Sequence, residues 1–226
     1  MNDWLNLNAI ILGIVEELTE FLPVSSSGHM ILTAHLLSFT GEKAKTFEIV
    51  VQFGAVLAVL VLYRWRFLAM FKNGLRSNFR INLLHVALAM APAVLVGLAL
   101  HSLIKTYLFG PTTVLISLIA GGILMIVAEK FPKKVTAEHV DEISYKQALG
   151  IGFFQCLALW PGFSRSGSTI SGGLLLGTSQ KAAAEFTFII SVPIMFAATG
   201  LDLYKSRELL AVSDVGMFLV GLCYIR

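Results

Sequence analysis

The chain has 226 residues, 56% of them hydrophobic and 14% charged, with a net charge of +3. Soluble domains carry roughly 25% charged residues, so this composition excludes an ordinary water-soluble protein and points to a bilayer. The small positive charge forms no basic run interleaved with aromatic residues, which argues against nucleic acid as a partner.

The N-terminus, Met-Asn-Asp-Trp, has no basic region and no small-residue cleavage site, so the first apolar helix is expected to stay in the mature protein. From about residue 7 to 38 a short apolar helix, a turn of Pro, Ser and Gly, and a second short apolar stretch follow one another. The two arms are too short for two crossings of a bilayer, which takes roughly 20 residues each, and suit a re-entrant hairpin. Apolar spans are expected over about 46–63, 82–101 and 112–128. Between the first two lie Arg64, Arg66, Lys72, Arg76 and Arg80 with no acid, a cytoplasmic signature. Lys130, Lys133, Lys134 and Lys146 come two crossings later and belong on the same side, whereas the connection near residues 101–111 has only Lys105. A second hairpin is expected over about 147–178 and a span over about 183–203. The last apolar segment, 215–226, is too short to cross as it stands.

These units repeat. Aligning Ser25-Ser26-Ser27-Gly28 on Ser164-Arg165-Ser166-Gly167 places Glu16 over Gln155, Phe21 over Trp160, and Pro23 within one position of Pro161. The expected fold is therefore an all-α polytopic membrane protein of two inverted-topology repeats, 1–128 and 129–226. Its two re-entrant helix hairpins would enter from opposite faces and meet near the midplane. Irregular backbone at that depth is tolerated only where it is buried in protein or lines a wet cavity.

Glu16 and Glu20 stand four apart in a helical stretch, so both project from one face. Two carboxylates so placed in apolar surroundings call for a cation between them or for protonation of one, and paired carboxylates are ordinary ligands for Mg²⁺ or Ca²⁺. Ser25, Ser26, Ser27, Gly28 and His29 open the next helix. The plain reading is N-capping by one serine. Free amides at a helix N-terminus also bind phosphate, Gly28 permits close backbone approach, and His29 can carry a proton near neutral pH. The second loop adds Arg165, whose guanidinium grips phosphate oxygens in pairs, with Ser164, Ser166 and Thr169 as hydroxyl donors. Glu48, Gln52 and Glu185 read as supporting or helix-end residues. Cys156 and Cys223 have no metal-ligand spacing and read as small core residues.

At these two loops the sequence resembles the bacitracin-resistance type of undecaprenyl-diphosphate phosphatase. The resemblance covers nearly the whole chain and rests on two motifs. One is E-x-x-x-E at Glu16 and Glu20, running on through Phe-Leu-Pro-Val-Ser-Ser-Ser-Gly-His; the other is P-G-x-S-R-S-x-x-T from Pro161 to Thr169. It implies hydrolysis of undecaprenyl diphosphate to undecaprenyl phosphate and phosphate, dependence on Mg²⁺ or Ca²⁺, a bacterial plasma-membrane location, and a site opening to the periplasmic side. It further implies Glu16 and Glu20 as the acidic pair, Ser26 and His29 as catalytic serine and histidine, and Arg165 as the phosphate-binding arginine. Two departures stand out: Glu17 replaces a glycine usual between the acids, and the family's chains continue beyond Arg226.

The expected partners are the polyprenyl diphosphate lipid and the membrane itself, with self-association as a homodimer left open. A transporter or flippase of polyprenyl phosphate is the alternative, because such proteins also use inverted repeats with broken helices. The type-2 phosphatidic acid phosphatase superfamily shares a P-S-G-H-like segment, but it needs a histidine downstream of Ser-Arg, and the five histidines here end at His139.

Overall fold

The computed structural model describes residues 2–20, 22–39, 42–73, 81–108 and 110–206. Among them nine α-helices follow in order: α1 Asn2–Glu20, α2 Ser26–Leu36, α3 Glu42–Leu62, α4 Arg64–Asn73, α5 Leu83–Tyr107, α6 Pro111–Lys130, α7 Tyr145–Gln155, α8 Arg165–Leu175 and α9 Gln180–Ser206. Short 3₁₀ turns occupy Val140–Glu142 and Cys156–Leu159. The described residues contain no strand, only an isolated bridge pairing Ala137 with Thr178. The all-helical expectation holds. The expected segment 215–226 with Cys223, and Arg76 and Arg80 of the basic connection, lie outside the described residues.

Local chemistry sets the helix starts. Asn82 Oδ1 accepts from the amides of Leu84 and His85 at 3.1 and 3.3 Å and so caps α5. Pro111 is pre-shaped for the first turn of α6. Ser144 and Gln147 cap α7 reciprocally, Ser144 Oγ accepting from Gln147 N and Gln147 Oε1 accepting from Ser144 N.

Among the described residues three helices are long and apolar enough to cross a membrane, over Leu83–Leu100, Pro111–Lys130 and Gln180–Gly200. They correspond to the spans expected at 82–101, 112–128 and 183–203, with α5 running six residues further, to Tyr107. Leu95, Leu98, Ile119 and Ile123 are each more than half exposed. An apolar belt of that extent belongs against lipid rather than water.

Three groups of buried side chains hold the bundle together. Ala9, Leu12, Met30, Ala34, Phe47 and Val51 join α1, α2 and α3. Val56, Val59, Val192 and Met195 join α3 to α9. The largest group binds α5, α7 and α9 through Ala89, Ile151, Phe186, Ile189 and their neighbours. Around this frame α1 packs on α2 and α7 on α8, and α8 also lies against α6 and α9. The α1–α2 and α7–α8 pairs therefore deliver the α1–α2 turn and the 160–164 turn to one region of the bundle; α1, at 19 residues from Asn2, is longer than the arm expected from about residue 7.

Candidate active site

Each turn ends on a serine that takes the left-handed backbone region: Ser25 has φ 68° and Ser164 has φ 51°. Residues other than glycine occupy that region at a cost of about 1–3 kcal/mol and do so where surrounding structure enforces it. Both serines then cap a helix of 11 residues in the same way. Ser25 Oγ accepts from Gly28 N at 3.2 Å, and Ser164 Oγ accepts from Gly167 N at 3.0 Å. The sequence alignment of the two loops is thus an alignment of two conformations. It also shows why each cap is followed three residues on by glycine: a Cβ at either would sit 3.1 Å from the capping oxygen.

The loops touch. A Cβ on Gly28 would meet Gly162 Cα at 3.0 Å, and the backbone of Phe163 rests on Gly121 of α6. This approach brings Arg165 Nη2 within 2.9 Å of Glu20 Oε1, while Glu20 Oε2 accepts a hydrogen bond from Ser26 Oγ. One carboxylate therefore binds the guanidinium of one loop and the hydroxyl of the other. The side chains are 10% exposed for Glu20 and 21% for Arg165, so the pair is largely shielded from water.

Beside the pair is a cavity of about 200 Å³, headgroup-sized and smaller than the roughly 300–1,000 Å³ that drug-sized ligands occupy. Glu20, Ser25, Ser26 and Ser27 line one wall and Ser164, Arg165 and Ser166 another. The N-termini of α2 and α8 both open beside it, and the positive ends of their dipoles favour an anion. Hydroxyls, a guanidinium and two helix N-termini form a donor set suited to a ligand with several anionic oxygens.

Of the residues expected at the site, the structure brings Glu20, Ser25, Ser26, Ser27, Ser164, Arg165 and Ser166 to the cavity. The remaining four do not line it. Glu16 is wholly buried on α1. Gly28 is a packing contact between the loops. His29 Nδ1 donates to Ser25 O at 2.8 Å, so its ring braces the turn, and the group that touches the Ser26 hydroxyl is Glu20. Thr169 is buried beneath the loop, with Oγ1 bonded to Arg165 O at 2.9 Å and to Thr187 Oγ1 of α9 at 2.8 Å. Glu17, the departure between the two acids, is partly exposed and does not line the cavity either.

Two glutamines complete the wall. Gln52 of α3 donates to Ser27 Oγ at 2.9 Å, and Gln155, the last residue of α7, is 3% exposed. Each shows in the sequence as a lone amide in an apolar run, and Gln155 also through its alignment on Glu16 in the internal repeat. Among the described residues no three His, Cys, Asp or Glu side chains gather as a metal cluster. Of the two carboxylates expected to hold a hard cation, Glu20 reaches the cavity and Glu16 lies one turn behind it, wholly buried, so a cation facing the cavity would take Glu20 together with ligand oxygens, a common arrangement for Mg²⁺ at phosphate sites.

Known proteins resemble this chain over most of its length. The chain is 57% identical over 215 residues to "Undecaprenyl-diphosphatase 1" of Bacillus cereus, covering 94% of this chain and 81% of the relative. It is 56% identical over 217 residues to the protein of the same name from Bacillus anthracis, covering 95% and 82%. Residues 9–225 match the family described as "Bacitracin resistance protein BacA". With both loops, the Glu20–Arg165 pair and the cavity inside that match, this chain belongs to the BacA family.

Proposed function

We propose that this chain hydrolyses undecaprenyl diphosphate to undecaprenyl phosphate and inorganic phosphate in the bacterial plasma membrane. The reaction recycles the lipid carrier of cell-wall synthesis and gives resistance to bacitracin. The observation that carries this reading is the hydrogen-bonded series Ser26–Glu20–Arg165 at the mouth of two helix N-termini, in a chain whose relatives bear the diphosphatase name.

The cavity takes the diphosphate and leaves the prenyl chain in lipid. Phosphate oxygens compete with Glu20 for Arg165 and accept from the Ser164, Ser166 and Ser27 hydroxyls. Ser26 Oγ attacks the terminal phosphorus and Glu20 Oε2 takes its proton. The bond from that phosphorus to the bridging oxygen breaks, and undecaprenyl phosphate leaves. Water then attacks the phosphoserine, releasing phosphate and restoring the hydroxyl. Preorganised donors stabilise charge on the equatorial oxygens throughout. Glu20, with Glu16 one turn behind it on α1, would hold Mg²⁺ or Ca²⁺, and the cation would supply further neutralisation of the diphosphate.

Direct attack by water on the same bound diphosphate differs in one outcome. Covalent catalysis predicts a trappable phosphoserine at Ser26 and a loss of at least about a hundredfold in Ser26→Ala; near-normal turnover of that variant assigns the attack to water. A chelator is expected to abolish phosphate release, and activity indifferent to it would remove the cation from the scheme. Phosphate release from purified protein in detergent also separates hydrolysis from lipid transport, since detergent leaves no second compartment.

The same reading carries the membrane arrangement. The α1–α2 and α7–α8 pairs are re-entrant hairpins of two inverted repeats, and the site opens to the periplasmic side, opposite the Arg64–Lys72 basic connection. Support comes from the paired cap geometry of Ser25 and Ser164 and from the distribution of Lys and Arg. Cysteine accessibility to an impermeant reagent, introduced at exposed Ser38 between α2 and α3 and at Lys72, tests it: Ser38→Cys is expected to react from outside and Lys72→Cys only after permeabilisation.

A further inference from the structure

Gln155 closes α7 with its side chain fixed at one end. Nε2 donates to Ala89 O of α5 at 3.2 Å. A carbonyl can only accept, so the amide nitrogen faces α5 and the oxygen faces away from it. Gly152, one turn earlier, makes this approach: a Cβ there would stand 2.6 Å from the same carbonyl.

The other end is unsatisfied. Gln155 Oε1 is buried with no hydrogen-bond partner among the described residues, and the residue lines the cavity beside Ser164–Ser166. A buried acceptor without a donor is costly, so the ligand that fills the cavity should present one. The acceptor on the facing wall, Glu20, is already engaged by Ser26 and Arg165. The hydroxyls and guanidinium around the site donate, which suits ionised oxygens; Gln155 Oε1 suits the one oxygen that still carries hydrogen.

A terminal phosphate has such an oxygen, because its second ionisation lies near pKa ~6. A phosphodiester has none. We propose that Gln155 Oε1 accepts a hydrogen bond from the P–OH of the terminal phosphate, selecting the protonated, unesterified end of the lipid and turning it toward Ser26. The inference rests on the phosphatase reading above. The charged groups facing Gln155 across the cavity are Glu20 from α1 and Arg165 from α8; α5 presents Ala93 and α9 presents Ile194 and Met195. The neighbouring Cys156 thiol is turned back to Gly152 O. A neutral amide is required at this position, since a carboxylate would repel the ligand once the phosphate is fully ionised.

The test compares wild type, Gln155→Leu and Gln155→Glu in detergent between about pH 5.5 and about pH 8.5, spanning the phosphate ionisation. It reads kcat and KM for phosphate release from undecaprenyl diphosphate, together with the stabilisation of melting temperature by inorganic phosphate. Gln155→Leu is expected to raise KM and weaken phosphate binding roughly tenfold at the acid end, the loss of one hydrogen bond, with the gap closing at the alkaline end. Gln155→Glu is expected to bind only at the acid end, moving the profile by about one pH unit. A wild-type to Gln155→Leu ratio that stays constant across pH overturns the proposal, because a packing role lowers stability without following the ionisation of the ligand. Should Gln155→Leu fail to fold, the profile of Gln155→Glu decides, and an unshifted profile overturns the proposal equally. If wild type releases no phosphate at any pH, the phosphatase reading is what fails, and the melting shift with inorganic phosphate still decides on Gln155.

Discussion

Glu20→Gln is expected to lower kcat for phosphate release by roughly a hundred- to ten-thousandfold, the range for loss of a general base, in a protein that still folds. The argument rests on the double use of one carboxylate. Its Oε1 bonds Arg165 Nη2 at 2.9 Å and its Oε2 accepts from Ser26 Oγ. Glutamine keeps the shape and one acceptor for the guanidinium but removes the charge that receives the serine proton. Stability is expected to fall as well, because Arg165 loses its ionic partner at a site only 21% exposed. Breaking a fully buried pair costs about 3–5 kcal/mol, and the partial exposure here places the loss below that range. Arg165→Lys separates the two effects. Lysine keeps the charge beside Glu20 but loses the planar fork, so KM and kcat are both expected to suffer while the melting temperature changes less than in Glu20→Gln. Phosphate release within threefold of wild type for Glu20→Gln would remove Glu20 as the base and return that role to His29.

Much of the fold was legible because helices announce themselves locally. The apolar runs behind α5, α6 and α9 have the length and composition to cross a membrane, and caps such as Asn82 and Ser144 sit at their expected starts. The two serine loops were legible for the same reason: Ser25 and Ser164 each cap a helix with glycine three residues on. What the sequence left open is which groups of the two loops meet. Glu20 and Arg165 are 145 residues apart, and only the docking of one helix pair on the other makes them partners. The spacing of Glu16 and Glu20 places both on one helix face, yet only Glu20, the last residue of α1, reaches the cavity, and Glu16 one turn earlier stays wholly buried. His29 shows the opposite limit. Its ring is satisfied four residues back at Ser25 O, a local bond that competes with any role across the site. Gln52 and Gln155 carry no motif, and their places on the wall follow from the packing of α3 against α9 and of α7 against α5.

That docking depends on one residue more than any other, and Gly162→Ala is expected to disrupt both structure and activity. Gly162 has φ +95°, a conformation side chains resist. An added Cβ would fall inside the Ser117 hydroxyl, 2.7 Å from Val114 O and 3.1 Å from Val114 Cγ1. Val114 and Ser117 have no exposed surface, and Ser117 Oγ already donates to Pro161 O, tying α6 to the turn. The turn has no free direction, because Gly28 of the other loop closes on Gly162 Cα. Overpacking costs about 1–3 kcal/mol and the unfavourable φ a similar amount, so the melting temperature should fall clearly. Arg165 lies three residues on, and a shift of about 1 Å in a positioning group can cost roughly a hundredfold in rate; kcat/KM is expected to drop by that order even where the variant folds. Gly122→Ala on α6 is the control, since nothing lies within 4 Å of its Cβ position, and it is expected to be neutral or slightly stabilising. Adding Ser117→Ala to Gly162→Ala removes the hydroxyl clash but leaves the Val114 carbonyl and the positive φ, so only part of the stability returns. Equal melting temperatures for Gly162→Ala and Gly122→Ala would show that the turn can move away from α6 without cost, and the contact between the two loops would then not be what holds Arg165 on Glu20.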